Sequence, residues 1–294
     1  MEEKIWTRDF ILICLSNFLA FLGFQMLIPT LPLYVRELGG SDMLIGWVVG
    51  IFTFSALLIR PYAGHVIDGR GRKPILFAGL CLMVLSVFSM AWVGHLLLLL
   101  LFRIIQGIGW GMNTTASGTV ATDLIPPRRR GEGMGYYGLS GNLAMTIGPA
   151  LGLAIVGSYH FEPLFFLSAA LTFSALLLTS QIRIPKPAKA LGQKQATDRR
   201  ASESGKRSFH LDIIEKTALL PAGLILLVTV TFSSISTFLP IYAAQKGVAG
   251  VQWYFVMYAV VLMITRPFAG KLYDLKGHRA VFIPGAVLIM AAMF

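Results

Sequence analysis

Charged side chains interrupt this chain at intervals that leave long, uncharged and mostly apolar stretches between them. The four longest are Phe10–Val35, Pro74–Phe102, Gly133–Phe161 and Thr217–Gln245. Each exceeds the about 20 apolar residues that a helix needs to cross a bilayer. Shorter runs at Met43–Ile59, Ile104–Thr122, Pro163–Ile182, Gly247–Thr265 and Ala280–Phe294 fill the intervals. The pattern predicts eight full spans and the start of a ninth, an all-α polytopic membrane protein. The first stretch is too long for a signal-peptide core and has no small-residue cleavage site before the next span, so it is expected to remain as a helix.

Composition agrees. Of the 294 residues 55% are apolar and 13% charged, against about 45–50% and about 25% in soluble domains. A net charge of +11 would fit a nucleic-acid binder, but its distribution argues otherwise. Lys4 and Arg8 precede the first span; Arg70, Arg72 and Lys73 lie between spans two and three, and Arg128, Arg129 and Arg130 between four and five. Further basic residues crowd the interval from Arg183 to Lys216, and Lys271, Lys276 and Arg279 follow span eight. Only Arg36 and Lys246 fall on the other side. This is the positive-inside bias, which places the N-terminus and the basic loops in the cytoplasm. Anionic headgroups account for the charge better than nucleic acid does. The expected location is the plasma (inner) membrane of a prokaryote.

Catalysis finds no support. Cys14 and Cys81 sit in different apolar spans without metal or redox spacing. No phosphate-binding G-x-x-x-x-G-K-[ST] loop is present; the nearest fragment, Gly205-Lys206-Arg207, lacks the upstream Gly and the Ser/Thr. The five histidines are scattered, and no nucleophile has a base at sensible spacing. Neither enzymatic activity, a cofactor nor a metal is expected.

The chain repeats itself. Residues 60–73, RPYAGHVIDGRGRK, align without a gap to residues 266–279, RPFAGKLYDLKGHR, with six identical positions. Leu31-Pro32-Leu33-Tyr34 at the end of span one likewise matches Leu239-Pro240-Ile241-Tyr242 at the end of span seven. Six helices therefore form one unit and span seven opens a second, parallel one, as in one class of secondary transporter. The expected domains are a six-helix bundle over 1–183, a basic cytoplasmic linker over 184–212 and an incomplete second bundle over 213–294. The linker, with Pro185 and Pro187 among Lys, Arg, Ala, Ser and Gln, reads as a solvated tether. Phe209–Lys216 is a candidate surface helix. Because the last residues lie inside an apolar run, roughly a hundred residues of further spans are expected to be missing.

The run Gly64-x-x-x-Asp68-x-x-Gly71-Arg72-Lys73 resembles the signature between helices two and three of the major facilitator superfamily, and Gly270, Asp274, Gly277 and Arg279 resemble its degenerate second-half copy. Physical chemistry rationalises the residue types. Gly64 permits close helix approach, Gly71 a tight turn, and Asp68, at a helix C-terminus, needs a cation or a helix N-terminus nearby. The resemblance implies a latch between the two halves of a carrier, with Asp123 beside Arg72. A tight basic turn and a solvated acid are the plainer alternatives.

Three further features carry the resemblance inward. Arg103-Ile104-Ile105-Gln106-Gly107-Ile108-Gly109 is similar to the family's fourth-helix R-x-x-Q-G-x-G, which implies a part for Arg103 in proton coupling; the alternative is an arginine snorkelling to headgroups. Gly148-Pro149-Ala150-Leu151-Gly152 resembles the fifth-helix motif of the drug/proton antiporter branch, departing from it at Ala144 and Leu153, where that pattern has glycine. Polar residues within spans are candidate cavity linings: Asn17, Gln25, Gln106, Asn113, Asn142, Thr146 and Ser236, with Thr114, Ser233 and Thr237 beside them. Many such residues serve as interhelical hydrogen bonds. No acid occupies the middle of a span.

These readings converge on a secondary active carrier of the major facilitator fold, most similar to the twelve-helix drug/proton antiporters. It would export a drug-like or amphipathic small molecule by alternating access. Its partners would be the lipid bilayer, the substrate and protons, with no nucleic acid, and the carrier would be monomeric. An importer of sugars or other nutrients on the same fold, or a non-transporting membrane receptor, are the rival readings.

Overall fold

The computed structural model describes residues 4–183, 219–220, 222–231, 246 and 252–293. The chain divides into two compact units, one formed by Met1–Lys186 with Met263–Phe294, the other by Pro187–Leu262. In the first lie α1 (Arg8–Glu37), α2 (Asp42–Arg70), α3 (Arg72–Met90), α4 (Leu96–Leu124), α5 (Arg130–Ser158) and α6 (Phe161–Ser180). All six are long and apolar enough to cross a membrane, and they coincide with the first six uncharged runs of the sequence.

Local chemistry sets their ends. The Thr7 hydroxyl accepts the Phe10 N–H at 3.2 Å and caps α1, satisfying one of the amides that a helix start leaves free. α2 runs past Arg60 and Pro61 and stops at Gly71, whose φ of 92° is one that glycine adopts without strain. Lys73 Nζ donates to the carbonyls of Ser180 and Ile182 at 2.9 and 3.1 Å, a cation placed at the negative C-terminal end of α6.

Packing pairs α1 with α5 and α6, and α4 with α2 and α3, while α3 also meets α6. Two apolar cores result. One contains Phe10, Ile13, Ile67, Leu76, Leu80, Ala116, Val120 and Ala175, near the Gly71 turn. The other contains Met26, Leu31, Tyr34, Val87, Met90, Leu99 and Phe165, towards the opposite end. Between them four of the long helices contribute polar groups: Gln25 on α1, Ser86 on α3, Arg103 and Gln106 on α4, Ser168 and Thr172 on α6, all buried. The outer faces are apolar, with Ile11, Leu15, Phe54, Leu57, Leu58, Leu97 and Phe173 exposed. In water so much exposed apolar surface would drive association; in a bilayer it is the lipid contact.

The first unit also holds most of α8 (Gln252–Lys276) and all of α9 (His278–Met293). In the second unit, α7 (Ala222–Thr231) is a short apolar helix with Ile225, Leu226 and Leu227 exposed. The surface helix expected over Phe209–Lys216, much of span seven and Ser233, Ser236 and Thr237 lie outside the described residues.

Candidate functional site

The polar layer between the two cores centres on Arg103. Only 4% of its surface is exposed, so it does not reach the headgroups. Its Nε donates to the Val48 carbonyl at 3.0 Å and its guanidinium to Gln106 Oε1 at 2.6 Å. The guanidinium carbon lies 4.2 Å from the centre of the Phe52 ring, a cation–π contact made stronger by desolvation. These partners are all neutral. Phe52 belongs to an aromatic group: Phe24 stacks on Phe52 at 4.9 Å and on Trp110 at 4.1 Å, and Phe21 tilts against Trp110 at 4.6 Å. Three helices contribute these rings, so no single stretch of the sequence displays the group.

Glycines on α4 bring its neighbours this close. A Cβ on Gly107 would strike Ser55 and Phe52 of α2, and one on Gly109 would lie 2.7 Å from the Gly79 carbonyl of α3. Buried amides near this layer retain free donors: Gln106 Nε2, Asn113 Nδ2 and Asn142 Nδ2 make no hydrogen bond among the described residues. An unpaired amide in hydrocarbon is costly, so these donors mark where water or a ligand would be accommodated.

Other expected cavity residues do different work. Asn17 joins helices instead of lining a cavity: its Nδ2 donates to Ser140 Oγ at 2.8 Å, and its Oδ1 accepts from the Tyr137 hydroxyl at 2.9 Å. Tyr137 also lies 2.9 Å from Ser117 Oγ, which completes a bridge across α1, α4 and α5. Tyr137 and Ser117 were absent from the expected set because nothing in their own segments marks them. Thr146 is exposed and bonds its own helix at Asn142, and Thr114 does the same at Trp110. Gln25 is buried where α5 meets α1: a Cβ on Gly148 would lie 2.5 Å from Gln25 Cβ, and one on Gly152 would strike the Met26 backbone. Gly148 and Gly152, on either side of Pro149, thus let α5 pack against α1.

At the Gly71 end, Arg72 and Asp123 form an ion pair, with Arg72 Nη2 donating to Asp123 Oδ1 at 3.2 Å and Nε facing Oδ2. At Gly64 nothing among the described residues lies within 4 Å of where its Cβ would stand. The side chain of Asp68 is outside the described set. The second copy is the tighter one. Asp274 Oδ1 accepts the Gly131 N–H at 2.7 Å and Oδ2 the Glu132 N–H at 2.8 Å, placing a carboxylate on the positive N-terminal end of α5. Gly277 makes the turn with φ 78°, and Arg279 is exposed in the first turn of α9.

Two repeat-related loop motifs, six spans and a buried arginine layer define a polytopic carrier fold. The profile of the Major Facilitator Superfamily matches residues 13–294, and the chain belongs to that family. It is 28% identical over 249 residues to the quinolone resistance protein NorA of Staphylococcus aureus, covering 84% of this chain and 60% of NorA. It is 28% identical over 209 residues to multidrug resistance protein 2 of Bacillus subtilis, covering 69% of this chain and 52% of the relative. The chain thus spans little more than half the length of these relatives. Among solved structures, the human organic anion transporter MFSD10 (TETRAN) shares the fold, with a TM-score of 0.59 and 22% identity over 93% of this chain and 72% of that one.

Proposed function

We propose that this chain serves proton-coupled efflux of drug-like, amphipathic molecules by alternating access across the plasma membrane of a bacterium. The observation that carries the reading is Arg103, buried between two apolar cores among neutral partners and beside stacked aromatic rings. A fixed charge in hydrocarbon is costly and usually serves a pathway or a partner. There it would favour release of a proton from an approaching acid. The aromatic rings suit a flat apolar substrate, and the free amides of Gln106 and Asn113 suit its acceptors. The names of NorA and multidrug resistance protein 2 support export of drugs over import of nutrients. In this reading 1–183 forms the first bundle, 184–212 a cytoplasmic linker and 213–294 the beginning of the second bundle, with Asp274 on α5 as a latch at the cytoplasmic face.

The test is ethidium transport in inverted membrane vesicles containing the chain. Ethidium accumulation on acidification of the vesicle interior, abolished by an uncoupler, supports the proposal. Uptake of sugars in right-side-out vesicles without ethidium movement would favour the importer, and neither flux would favour the receptor.

A further inference from the structure

At the end of the bundle away from the Gly71 turn, a cavity of about 350 Å³ opens between the C-terminal ends of α1 and α3 and the start of α6. Rings and carboxylates dominate its lining, with His160 beside them. Tyr34, Trp92, Phe161 and Phe165 contribute rings, and Glu37 and Glu162 contribute carboxylates.

The rings are held in place. Tyr34 packs against Phe161 at 5.0 Å and Phe165 at 5.1 Å, and its hydroxyl donates to the Val93 carbonyl at 2.5 Å. Trp92 is 64% exposed, yet its ring is fixed edge-on against Phe88 at 4.7 Å and Phe166 at 5.4 Å. An indole both open and oriented presents a face at little ordering cost.

The electrostatics favour a cation. No Lys or Arg lines the cavity, where the imidazole of His160 is the one basic side chain beside the two carboxylates, and the neighbouring Arg36 is engaged by Asp42 at 3.0 Å. The C-terminal ends of α1 and α3 add the negative poles of their dipoles. The positive pole of α6 is countered by Glu162 in its first turn. In a chain of net charge +11 this is a local negative field.

Ring faces select among cations. A metal ion would need a compact set of oxygen or nitrogen ligands, and no group of three or more His, Cys, Asp or Glu among the described residues is arranged to hold one. An organic ammonium fits both halves of the lining, its charge met by the carboxylates and its methyl or methylene groups by the aromatic faces. We propose that this cavity binds an organic ammonium group, at a site separate from the Arg103 layer. A zwitterionic lipid headgroup and a free amine share that chemistry.

Choline is the probe. Isothermal titration calorimetry of the full chain in maltoside micelles, at fixed ionic strength, is expected to show one saturable site. Glu37→Gln with Glu162→Gln, and separately Trp92→Leu, should weaken binding by about tenfold or more. Tyr62→Leu, an exposed ring near the Gly71 end, should leave it unchanged. All variants should melt at the wild-type temperature, since every altered side chain is exposed. Undiminished binding in the double Glu variant, or no choline binding by the wild type, overturns the proposal. Nanodiscs then distinguish the source. If adding phosphatidylcholine to phosphatidylglycerol discs shifts the choline isotherm to higher concentration, the site holds a lipid headgroup; superimposable isotherms assign it to a free amine. The readout is binding, so its failure would leave the transport reading intact.

Discussion

Gly131 and Gly270 meet backbone to backbone. A Cβ on Gly131 would lie 2.6 Å from the Gly270 carbonyl oxygen, and one on Gly270 would lie 2.7 Å from the Gly131 carbonyl carbon. That approach lets Asp274, one turn beyond Gly270, place both carboxylate oxygens on the amides of Gly131 and Glu132.

The contact should therefore fail when either its close approach or its carboxylate is removed from α8. Gly270→Val inserts atoms where a backbone lies, and Asp274→Ala removes two charge-assisted hydrogen bonds at a helix start, worth about 1–2 kcal/mol together. Hydrogen exchange at the Gly131 and Glu132 amides should quicken in both variants, by about tenfold for each 1.4 kcal/mol lost in Asp274→Ala. Asp274→Asn keeps the shape and one acceptor oxygen, and should fall between. Wild-type protection in Asp274→Ala would show that these amides are held by something else.

Arg72 and Asp123 call for a double-mutant cycle. Their side chains are only 15% and 24% exposed, so the pair is less screened than a surface pair, for which about 0.2–1 kcal/mol is usual. Arg72→Gln and Asp123→Asn should each lower the unfolding temperature, and the double variant should lose less than the sum of the two. Additive losses would mean that the two charges act independently.

The spans were legible because hydrocarbon tolerates few charges, so each of the first six uncharged runs overlaps one of α1 to α6, although the run Pro74–Phe102 hides the turn after Met90 and the first residues of α4. The ends of α2 were less so. Arg60 closes the uncharged run, but the helix continues to Arg70, because a helix ends where its backbone hydrogen bonds and its Gly71 cap end it and not at a single charge. The Arg72–Asp123 contact was legible through family resemblance; side-chain chemistry alone left it open. What stayed hidden depends on contacts between distant segments. The Tyr137 bridge to Asn17 and Ser117 joins three helices, and the rings of Phe24, Phe52 and Trp110 meet only after α1, α2 and α4 pack. Equivalent glycines also diverge: Gly64 faces open space among the described residues while Gly270 is pressed against α5, a difference of surroundings that no motif encodes.

Topology can be read by labelling. With Cys14 and Cys81 replaced, single cysteines at positions 70, 128 and 199 should react only from the cytoplasm, and those at 37 and 246 from outside intact cells, as the distribution of Lys and Arg requires. Reaction of position 70 with an impermeant reagent from outside would invert the whole assignment.

Arg103 gives the most demanding test, because its structural and its transport contributions must be measured apart. Replacing it by Ala removes a charge whose placement in a span costs about 2.5–3.5 kcal/mol on insertion scales. The same change strips Gln106 Oε1 of its donor, leaving both ends of a fully buried amide unpaired at a cost of about 1–3 kcal/mol. The Val48 hydrogen bond, the Phe52 contact and the filled volume go as well, so Arg103→Ala should still insert but unfold at a lower temperature than the wild type, and flux is compared per folded protein in the membrane. Transport should nonetheless lose its proton dependence, since no fixed charge remains to drive a proton from an approaching acid. Arg103→Lys keeps the charge but cannot reproduce the planar fork that reaches Val48 and Gln106 together, so it should retain part of the flux. The measurement is ethidium flux in vesicles at a series of imposed pH gradients, with protein quantified in the same membranes. If Arg103→Ala transports normally with an unchanged pH profile, the arginine only braces α2 against α4, and the coupling charge lies elsewhere.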